Sequence, residues 1–421
     1  MKDIEQLKSL WKSLFGDTEA FISLFFHEVV RDENIRVLEE KGRILSALYM
    51  LPYPFRIWNQ EVTASYISGA GTLPEAQGRG LMRRLLIDSF KEMERRQIPL
   101  SILIPAEPWL YGFYEKSGYA TVFAYNQQVY PPKEQRLGED ALVVEKYSIS
   151  DLGDSFLQKR EDLMGACFSY FDQRLRERNA CILHSYANFR TIVHDYAISD
   201  GKIWVALNNE HIPVGIIFTV PAGGSSFVAK ELVADSKEVK EVLLRTALNH
   251  YHASSGIYRT VVPHASPTAD SSATTEAASI GTSEFVSNAS SEEGQTIPFG
   301  MARIIDAYKV LSMWAAVNPE RQLIIHLSDP LLTNNNGSYC IESGKCYKTT
   351  NNKGIQTERN YSFQKGIINK QIDTKTGGDG TPCNCHSKAD NEAFEVLTMD
   401  IGQLAHFLIY PEQPFMSLMF D

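Results

Sequence analysis

Residues 73–84 read LPEAQGRGLMRR, and this stretch joins an apolar extended run to an amphipathic helical pattern. Its two glycines let the backbone approach an anion closely, and the free N–H groups of a first helical turn point toward such a ligand. Arg79, Arg83 and Arg84 add full positive charges to the partial charge of the helix terminus. The stretch therefore predicts a phosphate-binding turn.

The segments around this turn predict alternating strands and helices. Gly69 and Gly71 interrupt the strand before the turn, and glycines inside a strand indicate a bulge or a close approach of another group to the backbone. Apolar residues at helical spacing follow the turn, and a short apolar run after them predicts a buried strand. The predicted order is a strand at 62–73, a helix at 79–96, a strand at 98–104, a helix at 107–117 and a strand that begins at Gly118.

Two of these motifs together resemble the acyl-CoA site of the GNAT acetyltransferases. The turn EAQGRG at 75–80 is similar to the family's Arg/Gln-x-x-Gly-x-Gly/Ala turn, although Glu75 places an acid at the first position. The segment YEKSGY that begins at Tyr114 fits the family's Tyr-x-x-x-Gly-Phe/Tyr pattern. The spacing argues against a Rossmann dinucleotide site, because Arg83 stands where its third glycine belongs.

Length and composition limit the remaining choices. The chain has 421 residues, 43% of them hydrophobic, which suggests about three domains with proper cores. Its net charge of −10 argues against nonspecific nucleic-acid binding and is compatible with a cationic substrate. The charged N-terminus does not resemble a signal peptide, and no apolar run predicts a membrane span. With few cysteines, we expect a cytoplasmic protein.

The cysteines raise one further hypothesis, a zinc site. Cys383, Cys385 and His386 lie close together in sequence and, with Cys340 and Cys346, offer potential ligands. Their spacing matches no structural zinc pattern. We therefore expect free thiols in a loop-rich region and no metal.

The middle of the chain repeats the pattern of the first unit without its chemistry. The turn before its helix has no glycine, and Asp235 and Glu238 would repel a phosphate there. Asp235 is predicted to be the helix N-cap. We therefore predict a degenerate second GNAT-like unit without a cofactor site. Its predicted elements are strands at 202–207, 212–221 and 227–234, a helix at 237–251 and a strand at 257–262.

The remainder predicts a linker and a third unit. Residues 264–295 are rich in Ser, Ala, Thr and Glu, which is typical of a linker or a mobile loop. Beyond them the pattern predicts a small α+β domain. Its predicted elements are a helix at 300–315, a strand at 322–327, turns and short strands at 334–380, a strand at 395–399 and a helix at 401–409.

Taken over the whole chain, this arrangement resembles the acetyltransferases of the enhanced-intracellular-survival (Eis) type. The resemblance implies an α+β fold with two tandem GNAT-like mixed-sheet domains, the second degenerate, and a C-terminal sterol-carrier-protein-like domain. The corresponding boundaries are 1–140, 141–297 and 298–421. It also implies a homo-oligomer, for which a hexamer is one form, and acetyl-CoA as co-substrate.

The same resemblance implies the site residues. Tyr114 matches the family's general acid, and the free carboxylate of the last residue, Asp421, matches its general base. The apolar tail at 414–421 is suited to burial. Matching cofactor positions are Ala70, Gly71 and Thr72 along the pantetheine arm, Gly78, Arg79, Gly80, Leu81, Met82 and Arg83 at the pyrophosphate, and Trp109 and Leu110 before the tyrosine.

These features predict an N-acetyltransferase that acts on a primary amine of a small cation, such as an aminoglycoside or a polyamine, by direct transfer. A lysine-like amine has a pKa of about 10.4, so its deprotonation near neutral pH costs roughly 4–5 kcal/mol and calls for a base. One alternative is a non-catalytic protein that binds acyl-CoA and a hydrophobic ligand. Another is a double-GNAT aminoacyl or long-acyl transferase.

Overall fold

The computed structural model describes residues 3–130, 146–223, 225–262, 294–349 and 394–420, and the backbone of 361–364 and 367–370. Asp421, the predicted base, lies outside the described residues. Cys383, Cys385 and His386 of the zinc hypothesis and residues 264–293 of the predicted linker lie outside them as well.

Most strands of the described residues belong to one large sheet. These strands are β1 (Ile35–Glu40), β2 (Arg43–Ile57), β3 (Gln60–Thr72), β4 (Leu100–Leu103), β5 (Ala120–Tyr130), β6 (Ser148–Asp151), β7 (Cys181–Ile182), β8 (Lys202–Leu207), β9 (Pro213–Ala222), β10 (Ser226–Ala234), β11 (Ser255–Thr260) and β12 (Gln295–Ile304). Their order is β1-β2-β3-β4-β12-β5-β11-β10-β9-β8-β6, and β7 pairs with β2.

A smaller sheet and the helices complete the fold. The small sheet has the order β15-β14-β13-β18, from β13 (Leu323–Ser328), β14 (Gly337–Glu342), β15 (Lys345–Thr349) and β18 (Glu395–Asp400). A separate pair joins β16 (Tyr361–Gln364) and β17 (Ile367–Lys370). The α-helices are α1 (Ile4–Phe15), α2 (Glu19–Leu24), α3 (Leu81–Arg95), α4 (Pro108–Glu115), α5 (Leu152–Leu157), α6 (Glu161–Arg176), α7 (Tyr186–Ile198), α8 (Lys237–His250), α9 (Ala307–Val317) and α10 (Ile401–Ile409).

The predicted element order of the first unit is confirmed. Strand β3, helix α3, strand β4, helix α4 and strand β5 follow each other as the sequence indicates. Helix α3 forms because its apolar residues repeat along one face, and that face is buried. Its buried residues are Leu81, Leu85, Leu86, Ser89, Phe90 and Met93.

The predicted elements of the second unit are confirmed too, with one correction at the helix start. Asp235 is not the N-cap of α8; Ser236 is, because its side chain accepts the Val239 N–H. The Asp235 carboxylate instead accepts hydrogen bonds from Tyr170 and Arg174. Strand β11 pairs antiparallel with β5, so the sheets of the first two units are continuous.

The predicted helix at 300–315 is wrong over residues 300–306. Residues up to Ile304 form strand β12, which lies between β4 and β5, and the helix is α9. Met301, Ala302 and Ile304 are buried in the middle of the sheet. A strand buried on both faces has a continuous apolar pattern, which periodicity cannot distinguish from a helix. The predicted strands at 322–327 and 395–399 and the helix at 401–409 are confirmed.

One apolar core joins residues from all three predicted units. Trp11, Phe171, Leu404 and Phe415 belong to the same buried cluster. The predicted domain boundaries stay predictions, and so does the likeness of the third unit to sterol carrier proteins. None of the helices in the described residues combines the length and apolar character that crossing a membrane requires.

Candidate active site

The centre of the large sheet opens beside β3. Strands β3 and β4 pair in parallel only from Ala64 to Tyr66, whereas β3 continues to Thr72. Opposite Leu48 of β2, strand β3 carries one extra residue, because Ala47 pairs with Gly71 and Tyr49 pairs with Ser68. The predicted bulge is therefore present, and the β3 edge from 67 to 72 faces a gap in the sheet.

The amides at the start of α3 lie free at one end of this gap. Gly78 and Gly80 both have φ of 72°, a left-handed conformation that glycine adopts without strain. Gly80 is the N-cap and makes no side-chain capping bond. The backbone amide of Arg84 donates to the Gly80 carbonyl at 3.1 Å, but the amides of residues 78–83 have no acceptor within the described part of the chain. This geometry suits an anion.

The charges around the turn are partly paired. Arg79 forms an ion pair with Glu40 on β1, and Arg43 on β2 binds Glu75 at 2.5 Å. The unexpected acid of the turn is thus matched by Arg43. A local backbone hydrogen bond lowers the pKa of Glu75, and the hydrogen bond from Arg43 lowers it further. Both pairs are largely exposed, so solvent screens them and an incoming phosphate can compete for the arginines.

Tyr114 is buried beside the gap. It lies on α4 and belongs to the apolar cluster that contains Ile67 of β3 and Leu103 of β4. Its ring packs edge-on against Tyr119, with 5.7 Å between the ring centroids. Burial raises the pKa of Tyr114 to about 12. The phenol therefore keeps its proton throughout the neutral and mildly alkaline range.

A buried arginine supports the segment that carries Tyr114. The Arg303 guanidinium donates to the Ser117 carbonyl at 2.7 Å and binds both carboxylate oxygens of Asp329 at 2.8 and 2.7 Å. Gly118 has φ of 82°, and a side-chain carbon there would lie 1.8 Å from the Arg303 Nη1 atom. The glycine four residues after Tyr114 is thus required by the arginine of β12.

The two residues matched to the cofactor before Tyr114 differ in exposure. Trp109 at the start of α4 is 69% exposed, whereas Leu110 is half-buried against the same cluster as Tyr114. An exposed indole beside a cleft offers a flat apolar surface to a ligand.

The C-terminal segment 415–420, called the tail below, is buried against the first two units. Phe420 is the last described residue, and its carbonyl accepts a hydrogen bond from Ser68 Oγ at 2.7 Å. Ser68 borders the bulge of β3. Farther back, the Phe415 amide donates to the Ala180 carbonyl at 3.1 Å, and the Ile182 amide donates to the Phe415 carbonyl at 3.0 Å. The tail therefore ends at the gap in the sheet.

His184 contacts the tail inside the core. Its Nε2 lies 3.1 Å from the Ser417 carbonyl, and since a carbonyl only accepts, Nε2 carries the proton. Burial lowers the pKa of His184 to about 4, against a smaller opposing effect of Glu231 and of the bond to Ser417. The imidazole is therefore neutral near pH 7.

Acidic groups lie on the α1 side of the bulge. Trp11 packs onto Gly69, where a side-chain carbon would lie 2.3 Å from its ring, and Trp11 Nε1 donates to Asp17 at 2.8 Å. Burial raises the pKa of Asp195 on α7, the charge of Lys230 opposes this increase, and the charge of Asp17 adds a smaller one. Carboxylates therefore lie on this side of the bulge.

The cysteines within the described residues are buried. Burial raises the pKa of Cys340 to about 11 and that of Cys346 to about 12, so both stay protonated thiols. In the described ranges, no group of three or more His, Cys, Asp and Glu side chains is arranged to hold a metal ion.

Sequence reasoning missed the buried charges of the site. Arg303 lies in the apolar run MARII, and Glu231 lies in the strand pattern FVAKELV. A charge inside an otherwise apolar strand indicates a buried ion pair, and this signal was available. The partners Asp329 and Arg178 are distant in sequence, so the pairing itself could not be predicted.

Comparison with known families decides the class of the first unit. Residues 1–122 match the profile of the acetyltransferase (GNAT) domain. This part of the chain is a GNAT acetyltransferase domain. The prediction of an N-acetyltransferase enzyme is thereby confirmed at the level of reaction class, and acetyl-CoA is the acyl donor that a GNAT domain uses. A search among curated proteins finds no significant match.

Solved structures show the fold beyond the acetyltransferase domain. A GCN5-related N-acetyltransferase from Anabaena variabilis aligns with a TM-score of 0.57 at 16% identity, over 83% of this chain and 84% of its own. Eis1 from Mycobacterium abscessus aligns with a TM-score of 0.56 at 13% identity, over 82% of each chain. A probable N-acyltransferase from Enterococcus faecalis aligns with a TM-score of 0.56 at 14% identity, over 82% of this chain and 83% of its own. At these identities the likeness concerns the fold alone.

Proposed function

We propose that the protein transfers an acetyl group from acetyl-CoA to a primary amine of a small cationic molecule. The observation that carries the proposal is the meeting of three features at one gap in the sheet. They are the free amides of residues 78–83, the buried phenol of Tyr114 and the tail anchored by Ser68.

The chain offers complementary groups along the length of an acyl-CoA. Amides of Gly78, Gly80 and the first turn of α3 hold the pyrophosphate, with Arg79 and Arg83 adding charge. The β3 edge at Ala70, Gly71 and Thr72 pairs with the amide groups of the pantetheine arm. Trp109 and Leu110 contact the donor from the other side of the gap. Acetyl-CoA itself supplies the acetyl group as an activated thioester.

The terminal carboxylate of Asp421 is proposed as the base that accepts the proton of the amine. The preceding residue, Phe420, has its carbonyl fixed on Ser68 beside the bulge. Consecutive Cα atoms are about 3.8 Å apart, so the proposal requires the base to act within reach of this point. A held carboxylate can remove an amine proton directly or through one water molecule.

Tyr114 is proposed as the general acid at the leaving sulfur. A pKa of about 12 keeps the phenol protonated at the working pH. A thiol has a pKa near 8.5, so complete proton transfer from Tyr114 is uphill by roughly 5 kcal/mol. Its contribution is therefore a hydrogen bond that strengthens as negative charge develops on sulfur.

A cationic amine is the proposed substrate class because the gap has acidic surroundings on the α1 side. Asp17 is held beside the bulge through Trp11, and Asp195 lies close enough to feel its charge. Negative groups at a cleft raise the local concentration of cations. A primary amine that enters here meets the proposed base.

Titration with acetyl-CoA, followed by thiol release on addition of an amine panel, tests the proposal. We expect binding, and turnover with aminoglycosides or polyamines. Extending the chain by Gly-Ser after residue 421 should lower kcat by about 10²-fold or more, because the terminal carboxylate is displaced. The matched variant Asp421→Asn keeps the terminal carboxylate and should stay active.

Two outcomes would redirect the proposal. Full activity of the extended chain removes the terminal carboxylate as the base, and a large loss in Asp421→Asn would assign the base to the side chain instead. Acetyl-CoA binding without turnover on any cationic amine would favour the non-catalytic acyl-CoA binding protein.

A further inference from the structure

The tail is held by the second unit, although it follows the helix of the third. Its Phe415 exchanges two backbone hydrogen bonds with Ala180 and Ile182. Its Ser417 carbonyl accepts from His184 of the same stretch. These contacts form a parallel bridge between Cys181 and Phe415. Strand β7 of this stretch also pairs with β2, so β7 lies between Phe415 and β2.

Beneath the tail lies a completely buried carboxylate. Glu231 sits at an irregularity of β10 and accepts two bonds from Arg178, at 2.8 and 2.9 Å, and one from the Leu232 amide at 2.9 Å. Ser417 Oγ donates the fourth, at 2.6 Å. Among these donors, Ser417 alone belongs to the tail. The guanidinium of Arg178 also lies 4.5 Å from the centroid of the Phe415 ring.

A buried carboxylate favours the docked tail because each of its lone pairs needs a donor. Departure of the tail would leave Glu231 without the Ser417 hydroxyl and would uncover the face of Arg178. Burial alone raises the pKa of Glu231, but the charge and hydrogen bonds of Arg178 and the bond from Ser417 outweigh it and keep the group ionised.

The polar contact also sets the register of the tail. Every residue of the tail except Ser417 is apolar and buried. Apolar packing alone therefore discriminates poorly against a shift of the tail by one residue. Such a shift would place Met416 or Leu418 against the Glu231 carboxylate, which is unfavourable. The register with Ser417 on Glu231 is the one that brings the Phe420 carbonyl to Ser68.

We propose that the second unit acts as a latch for the tail, in which Arg178, Glu231 and Ser417 are positioning residues for acetyl transfer. The proposal rests on the proposed function for its catalytic part only. The latch fixes where Phe420 lies beside Ser68. It gives the unit without a phosphate-binding turn a direct part in the active site of the first unit.

Hydrogen exchange measured by mass spectrometry on the full chain tests the latch without reference to activity. The amides of Phe415 and Ile182 report on it, because they are bonded only when the tail is docked. In Ser417→Ala, both should exchange roughly 10- to 100-fold faster, which corresponds to loss of one bond to a charged group. Glu231→Gln should act in the same direction, while amides of α3 keep their protection.

Asp151→Asn is the matched control. It breaks the ion pair of Asp151 with Lys202, 2.8 Å long, in the same unit and leaves an amide oxygen for the Gly153 N–H. Exchange at Phe415 and Ile182 should not change in this variant. If the Phe415 and Ile182 amides exchange equally slowly in the wild type and in folded Ser417→Ala, the latch is overturned, whatever the protein acetylates.

Kinetics then test the catalytic part. Ser417→Ala should lower kcat by about tenfold and leave the KM for acetyl-CoA unchanged, because the tail does not hold the donor. Faster exchange of the tail with unchanged kcat would overturn the positioning role. Absence of acetyl transfer in the wild type would instead count against the proposed function, and the exchange result would still decide the latch.

Discussion

A strand–turn–helix–strand segment occurs in both the first and the second unit, with different chemistry at its helix N-terminus. Helix α3 begins after Gly80 in a left-handed conformation, and no side chain caps it. Helix α8 begins after Ser236, whose hydroxyl accepts the Val239 N–H at 3.2 Å. The first helix start therefore keeps its amides available for a ligand, and the second satisfies one of them internally.

The charges differ in the same way. The first turn of α8 contains Glu238, whereas the first turn of α3 contains no acidic residue. The comparison teaches that the topology does not itself create a phosphate site. Under the proposed function, two glycines, the lack of a cap and the sign of the neighbouring charge create it in the first unit, and the predictions below change these features.

Exchanging the two helix starts should have the largest effect. Arg79→Asp with Gly80→Ser gives α3 the Asp-Ser pair that precedes α8. A non-glycine residue in the left-handed conformation costs about 1–2 kcal/mol, and the charge reversal repels the diphosphate. Calorimetry should show acetyl-CoA affinity lower by on the order of 10³-fold. Lys91→Asp makes an equal charge change on the exposed side of α3 and should alter the acetyl-CoA affinity less than twofold. A loss of affinity in Lys91→Asp as large as in the double variant would contradict diphosphate binding by the turn.

Acidification should weaken the second unit through His184. The pKa of His184 is about 4 in the folded protein, below the usual histidine value of 6.5, so the unfolded chain binds the proton first as the pH falls. The stabilisation is complete above pH 6.5 and is lost toward pH 4, by about 3 kcal/mol. Urea unfolding at each pH measures it. His184→Gln keeps a donor for the Ser417 carbonyl and should remove this part of the slope; an unchanged slope would contradict the assignment.

Tyr114→Phe separates binding from chemistry in the first unit. The ring stays in its apolar cluster, so acetyl-CoA affinity should not change, while kcat should fall about 100-fold through loss of one hydrogen bond at the reacting sulfur. The kcat profile of the wild type should lack a descending limb from this phenol below pH 10, since the pKa of Tyr114 is about 12. Unchanged turnover would remove Tyr114 as the acid.

Removing the cap of α8 should have the smallest effect. Ser236→Ala leaves the Val239 N–H without its side-chain acceptor and should lower the free energy of unfolding by about 1 kcal/mol. Acetyl-CoA affinity should stay the same, because this helix start holds no ligand. A change in affinity would mean that the second unit takes part in donor binding.

The sequence was sufficient for the local elements and for much of the site. The glycine turn, the bulge at Gly69 and the segment after Tyr114 follow from local patterns, because turn conformation and periodicity depend on neighbouring residues. The order of the strands in the sheet could not be predicted from these local patterns. Strand β12 enters the sheet between β4 and β5 from a distant part of the chain, and Met301-Ala302 with Ile304 suits a buried strand as well as a helix.

The contacts between the units could not be predicted from the sequence either. The burial of the tail was expected from its apolar composition, but its partners were not. Glu231 meets Ser417 across 186 positions, and Arg303 meets the Ser117 carbonyl across an equally long separation of 186. Contacts at such separations are set by packing of the whole fold, which no local pattern specifies.

A crystal structure of the full chain with CoA tests the central claim most directly. We expect the diphosphate on the amides of residues 78–83, the pantetheine arm along the β3 edge at 70–72, and the sulfur beside Tyr114 and the end of the tail. A diphosphate bound at the start of α8, or a sulfur remote from Tyr114 and Phe420, would contradict it.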